Sequence, residues 1–217
     1  MISVKKQHIP FFSVIVTAYN RSHIIDRALS SLINQVEQDW ECIIVDDGST
    51  DDVSGTVNKY INNDDRFRFI QHSHRGQALT KNAGVLSSSG LFITFLDSDD
   101  EYATDHLATR KAMLEEYPHL DLLHGGVTII GDPFVPDMND PSLLIHLQEC
   151  TIGGTFFFKK TSIHALGGFP VIHYGDDTAL YTLAEKAGYV IAKTDHPSYI
   201  YHREELDSLC NTMKDKS

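Results

Sequence analysis

Leu91-Phe92-Ile93-Thr94-Phe95-Leu96 runs straight into Asp97-Ser98-Asp99-Asp100, and the two halves of this stretch suit different surroundings. The first is a short, nearly unbroken apolar run, as expected of a strand buried on both faces. The carboxylates cannot follow it into a core, so the strand must end at an exposed sheet edge. The same rhythm repeats upstream. Phe11 to Thr17 is a β-branched and aromatic run, Trp40 to Val45 stops at Asp46-Asp47-Gly48-Ser49-Thr50-Asp51, and Phe67 to Gln71 is a third strand. Helix-period segments separate them. Ile24, Ile25, Ala28, Leu29, Leu32 and Ile33 recur at helical spacing behind Ser22, a candidate cap. Val53, Val57, Tyr60 and Ile61 form a weaker helix, and Gln77 to Leu86 another, closed by Ser87-Ser88-Ser89-Gly90. Strands alternating with helices predict right-handed crossovers and a mostly parallel sheet, an α/β fold. Ligands of such sheets gather outside the carboxyl ends of the strands, where both acidic clusters fall.

Beyond residue 100 the rhythm changes. A helix is expected around Asp105 to Glu116, then an apolar run from Leu120 to Ile130. Gly131 to Asp140, with Pro133 and Pro136, and Pro141 just beyond, reads as an irregular loop. Gly153-Gly154 precede an aromatic strand from Thr155 to Phe158, and Gly167-Gly168-Phe169-Pro170 is a turn. Asp176-Asp177 open a helix ending at Gly188, and Tyr189 to Lys193 and Tyr199 to His202 are short closing strands. Without a repeat or linker, residues 1–217 read as one domain, with halves at 1–100 and 101–217.

The 217 residues are 41% hydrophobic and 22% charged, which excludes wholesale disorder. No apolar run approaches the roughly 20 residues that span a bilayer. Lys5 and Lys6 before Ile9 to Val16 faintly resemble a secretory signal, but that run is only about eight residues and is broken by Pro10. A net charge of -12, with no Lys/Arg-rich stretch, argues against a nucleic-acid partner. Cys42, Cys150 and Cys210 lack metal or disulfide spacing, and read as thiols of a reducing, cytoplasmic setting.

Taken singly, each motif has a plain reading and a chemical one. Asp97-Ser98-Asp99 is either a solvated acidic turn or a set of hard oxygens suited to Mg²⁺ or Mn²⁺ on nucleotide phosphates. Asp46-Asp47-Gly48-Ser49 is either a turn with capping side chains or an acceptor for a base or ribose. Tyr19, in Thr17-Ala18-Tyr19-Asn20, is either buried structure or a flank for a nucleobase. Asp176-Asp177 suits a helix N-terminus on dipole grounds alone.

Together these segments resemble family 2 of the inverting glycosyltransferases, with the GT-A fold, a Rossmann-like α/β/α sandwich. The likeness rests on Ser13 to Asn20, Ile44 to Asp51, Gly76 to Gly84 and Phe95 to Asp99, in the family's order and spacing. Weaker landmarks follow at Gly167-Gly168-Phe169, Asp176-Asp177 and His202. The resemblance implies a nucleotide-binding first half and an acceptor-binding second half. Thr17, Tyr19, Asp47 and the adjacent Asp46 would hold base and ribose, and Lys81 stands where the family usually has Arg. Lys keeps that charge but loses the planar bidentate fork. Asp97 would approach the ribose or donor sugar. Asp99 would be the principal ligand of a divalent cation, Mn²⁺ or Mg²⁺, with His202 as a second. Asp177 would be the base that deprotonates the acceptor, supported by Asp176.

The implied reaction is transfer of a sugar, with inversion, from a nucleotide-diphosphate sugar, a UDP-sugar foremost. The acceptor would be a glycan or glycolipid of a bacterial polysaccharide pathway, with peripheral membrane contact. The lack of long C-terminal helices argues against a processive, polymer-extruding synthase. Leu183 departs from the pattern, because many relatives carry Arg six residues after the base. Two rival readings stand beside this one. A sugar nucleotidyltransferase would carry a glycine-rich, basic loop where this chain has Tyr19-Asn20-Arg21-Ser22. A non-catalytic nucleotide-sugar-binding protein on a decayed transferase fold would tolerate Leu183.

Overall fold

Three β-branched runs laid side by side organise the molecule. The structure is a computed structural model and describes residues 8–137, 140, 142–172 and 174–204. β1 (Phe12–Ala18), β2 (Trp40–Asp46), β3 (Phe67–Gln71) and β4 (Phe92–Asp97) form a parallel block in the spatial order β4-β1-β2-β3. Along β1, Phe12, Val14 and Val16 join one core while Ile15 joins the other; β2 divides Cys42 and Ile44 from Ile43 and Val45 in the same way. This period of two puts apolar side chains on both faces, so helices must cover both.

The first face is covered by α1 (Ile25–Ile33), α2 (Val53–Ile61) and α4 (His106–Glu116), through buried residues that include Leu29, Val57 and Leu107. The second is covered by α3 (Gln77–Ser87), α5 (Lys160–Leu166) and α6 (Asp176–Lys186), through Ala78, Val85, Ile163, Leu180 and Ala184. The result is a single-domain α/β/α sandwich of the GT-A type. Each fully buried Val, Ile, Leu or Phe contributes about 1.5–3 kcal/mol relative to exposure, so the paired cores carry most of the fold's driving force.

Three further strands extend the sheet beyond β4, in the order β11-β6-β10-β4. They are β6 (Leu122–His124), β10 (Phe157–Lys159) and β11 (Ile191–Lys193). β10 runs antiparallel to both neighbours, while β11 and β6 are parallel. A second sheet, ordered β5-β12-β7, joins β5 (Glu101–Tyr102), β12 (Tyr199–His202) and β7 (Val127–Ile130).

Several expectations are corrected. Ser22 does not cap α1: its backbone amide donates to Asp51 Oδ2 at 2.8 Å, and Ile24 occupies the cap position without a side-chain bond. The run from Leu120 to Ile130 is not one element, because Gly125 and Gly126 turn it from β6 into β7 of the other sheet. The segment read as irregular contains β8 (Phe134–Pro136), paired antiparallel with β9 (Leu144–His146). α5 was not anticipated. Cys42 is buried and Cys150 partly so, both as free thiols, whereas Lys5, Lys6 and Cys210 lie outside the described residues. Among the described residues no helix is long and apolar enough to cross a membrane.

His106 is fully buried beside the ring of Tyr102, with Nδ1 2.8 Å from Ser198 Oγ. Burial first, then the charges of Arg110 and His196, hold its pKa well below the ordinary 6.5. The unfolded chain therefore takes up a proton that the folded chain refuses, and stability is lost as pH falls below about 6.5. His106→Gln removes this contribution. Its melting temperature is expected to fall less than that of the wild type between pH 7.5 and 5.5, measured by calorimetry in matched buffers.

Candidate active site

The register of the parallel block brings the functional ends together. Ala18 pairs with Asp46, and Thr17 pairs with both Val45 and Asp97, so β1, β2 and β4 stop level with one another. A cleft of about 720 Å³ opens there. Its wall includes Thr17, Tyr19, Asp47, Lys81, Asp97, Asp99, Asp176, Asp177 and His202. Thus nine of the ten residues singled out in the sequence meet at one place. Asp46 does not. It is fully buried, with Oδ1 taken by the amide and hydroxyl of Ser49 and Oδ2 by Gln71 Nε2 at 2.7 Å. Asp46 shapes the turn that aims its neighbour.

Asp47 ties that turn to α3. Its oxygens accept from the amides of Arg75 and Gly76 at 2.8 and 2.9 Å, and lie 3.3 and 2.8 Å from Nδ1 of His72 and His74. Asn20 links the first two motifs. It adopts the left-handed φ of 55° that Asn tolerates, its backbone amide donates to Ser49 Oγ at 2.8 Å, and its Oδ1 accepts from Thr50 N at 2.8 Å. Tyr19 is 41% exposed and stacks on His74 with centroids 4.2 Å apart, so the pair forms an aromatic ledge at the cleft.

The acidic side is crowded. Burial first, then Asp99 and Asp176, push the Asp97 carboxyl up to about 6 against the opposing pull of Lys81. Asp177 is half-buried; its Oδ2 accepts from Gly153 N at 3.1 Å and its Oδ1 from Thr178 N at 2.7 Å. Burial and Asp176 raise its pKa, and Lys81 opposes the rise. Lys81 Nζ lies 3.1 Å from Asp176 Oδ2, both side chains being buried. Burial alone would weaken the ammonium, but Asp176, Asp97 and Asp177 more than reverse this and raise its pKa.

Asp100, quoted in the sequence but given no role there, fixes the geometry behind the site. Wholly buried, it accepts from Tyr199 OH at 2.6 Å and from His202 N at 2.8 Å. This bond pins β12 to the acidic turn and sets His202 in the cleft wall. His202 Nε2 lies 3.0 Å from Glu101 Oε1, while Nδ1 is buried without a hydrogen-bond partner, 3.7 Å from Glu204 Oε2. Sequence reasoning also gave no role to Arg21, His74 and Arg75, which line the cleft together with Tyr19 and Asp47. It likewise missed Val135, Pro136 and Ile145 of the β8–β9 hairpin, together with Tyr174. Pro and Gly around the hairpin masked it.

The family model of glycosyl transferase family 2 matches residues 13–166. The chain belongs to that family. Among curated relatives it is 38% identical over 114 residues to a Campylobacter jejuni GalNAc(5)-diNAcBac-PP-undecaprenol β-1,3-glucosyltransferase, covering 51% of this chain and 37% of that one. The chain spans 15%, 47% and 37% of the length of three curated relatives, less than half of each. Residues 1–349 of Staphylococcus aureus TarS, in complex with UDP-GlcNAc, superpose with a TM-score of 0.76 at 24% identity, over 91% of this chain and 60% of that one. Mannosyltransferase PcManGT from Pyrobaculum calidifontis, in complex with GDP-Man and Mn²⁺, gives a TM-score of 0.70 at 21% identity, over 89% and 57%. These two likenesses show the fold.

In this family 2 chain the GGF turn is held by α3. Asn82 Nδ2 donates to Phe169 O at 2.9 Å, and Phe169 N donates to Asn82 Oδ1 at 2.7 Å. Gly168 sits against this clamp at a φ of 83°, and a Cβ there would lie 2.3 Å from Asn82 Oδ1. Asn82→Ala leaves both Phe169 backbone groups without their partner. It is expected to lower unfolding free energy by about 1–3 kcal/mol, read from urea titration with the slope unchanged.

Proposed function

We propose that this chain is the transferase domain of an enzyme that moves a sugar from a nucleoside-diphosphate sugar to an acceptor hydroxyl, with inversion at the anomeric carbon. One observation carries the reading: Asp47, Asp97, Asp99 and Asp177, far apart in sequence, share one cleft with Lys81. Residues 1–100 supply the donor side and the later residues the acceptor side. A UDP-sugar is the leading donor, supported by the likeness to a fold that binds UDP-GlcNAc. A glycolipid acceptor is supported by the undecaprenol-linked substrate in the name of the Campylobacter relative and by apolar Val135, Ile145, Val171 and Ile172 in the cleft wall. The same apolar wall is consistent with peripheral membrane contact in a cytoplasmic setting. A nucleotidyltransferase or a binding-only protein is disfavoured by the family membership and by the acidic residue poised to act as a base.

Tyr19 offers a ring face to the base, while Asp47 holds the loop that borders it. The acceptor oxygen attacks the anomeric carbon as the bond to the diphosphate oxygen breaks, and the acceptor proton passes to Asp177. A carboxylate whose proton affinity is raised by burial is a better base for that step than an exposed one. The donor set suits a divalent cation: Asp99 offers hard oxygens, and His202 has a buried ring nitrogen without a hydrogen-bond partner. Among the described residues no group of three His, Cys, Asp or Glu could hold such an ion alone, so phosphate oxygens and water would complete the shell. Asp99 and His202 would hold the ion, which when bound supplies positive charge against the departing diphosphate.

Asp177→Asn is expected to cut transfer by about 10²–10⁴-fold while UDP affinity stays within about twofold, measured by coupled UDP release and calorimetry. Full transfer activity in that variant sinks the base assignment. In a thermal-shift panel, UDP-sugars with Mn²⁺ are expected to raise the melting temperature more than GDP-sugars do, and Asp99→Ala to remove the Mn²⁺-dependent part. A larger rise with GDP-sugars would reassign the donor.

A further inference from the structure

We infer that Lys81, reaching from α3 to Asp176, is the positioning residue for the acceptor-side base Asp177. This inference rests on the reading of Asp177 as that base, and it moves Lys81 from the nucleotide to the acid pair. Lys81 is 5% exposed, and its Nζ lies 3.1 Å from Asp176 Oδ2 and 4.7 Å from the centroid of the Phe169 ring. There Asp176 supplies a direct counter-charge, in the wall of the same cleft.

Asp177's own helix supplies no cation nearby. Leu183 is apolar, and the only basic residue of α6 is Lys186, in its last turn. The groups facing Asp177 are therefore Lys81 from α3, Asp176 from α6, and the amides of Gly153 and Thr178; Asp97 of β4 faces Lys81 from the other side. Without the ammonium, like-charged carboxylates crowd one another, and Asp177 holds its proton more tightly. The neighbouring Asn82 clamps Phe169 from the same helix, so α3 fixes both the entry to α6 and the charge at its first turn.

The same helix begins where Asp47 holds the amides of Arg75 and Gly76. One rigid element thus joins the nucleotide side of the cleft to the base. A shift of α3 during donor binding would move Lys81 and the acid pair with it.

The test is a carboxyl-carbon NMR titration of the full chain labelled with ¹³C-aspartate, without metal. The Asp177 signal is assigned by its loss in Asp177→Asn. Lys81→Met is expected to move the Asp177 midpoint to higher pH, Lys81→Arg to keep it near the wild-type position, and UDP affinity to stay within about threefold in both. Should Lys81→Met fail to fold, the charge-neutral pair Lys81→Met/Asp176→Asn is compared with Asp176→Asn alone, and the midpoint is again expected to be higher without the lysine. An unmoved midpoint overturns the inference. A tenfold loss of UDP affinity with an unmoved midpoint returns Lys81 to the nucleotide. Full transfer by Asp177→Asn would instead remove the base reading and leave the titration as a separate electrostatic result.

Discussion

Carboxylates gathered at one sheet edge repel one another, and the buried ammonium of Lys81 is what makes the gathering tolerable. Two like charges about 5 Å apart cost roughly 3 kcal/mol at an effective dielectric of 20. A site that collects Asp97, Asp99, Asp176 and Asp177 accumulates several such terms. One lysine offsets part of them; burial first, and then the remaining repulsion, raises the proton affinities of Asp97 and Asp177. The excess negative charge that remains makes the cleft electrostatically favourable to a cation, as the proposed function requires. The -12 net charge of the chain is consistent with this arrangement but does not explain it, since the effect is local.

The parallel block was legible because burial on both faces leaves little freedom. Runs such as Phe11 to Thr17 and Trp40 to Val45 are apolar at successive positions, and only a covered strand accommodates that pattern. Their observed ends differ from the sequence reading by about one residue. The chain beyond residue 100 was harder for a definite reason. β8 contains Pro136 and pairs only with β9, so it carries neither the length nor the continuous apolar pattern of a central strand. β6 and β7 look like one run because Gly125 and Gly126, both at positive φ, bend the chain without interrupting its hydropathy.

At the site, residue type was more legible than orientation. Asp46 and Asp47 are adjacent and chemically identical, and on a strand end they must point to opposite sides. One is consumed by Ser49 and Gln71 inside the turn, the other faces the cleft and binds the α3 loop. No property of the dipeptide alone says which is which. Ser22 failed as a cap for a related reason: Asp51 captures its amide, and that long-range partner is invisible in local sequence.

Asp100 shows how a motif can carry architecture and chemistry in neighbouring letters. Asp97 and Asp99 line the cleft, but Asp100 turns inward, where Tyr199 and the His202 amide occupy its oxygens. Those bonds span about a hundred residues of sequence, and they bring the closing strand back against the turn that ends β4. His202 therefore owes its place in the wall to a carboxylate that does not line the cleft. Pairing of β12 with β5 and β7 on either side restricts its movement further. An acidic cluster of this kind is best understood residue by residue: one buried carboxylate builds the frame, and its half-buried neighbours Asp97 and Asp99 are thereby placed in the cleft wall.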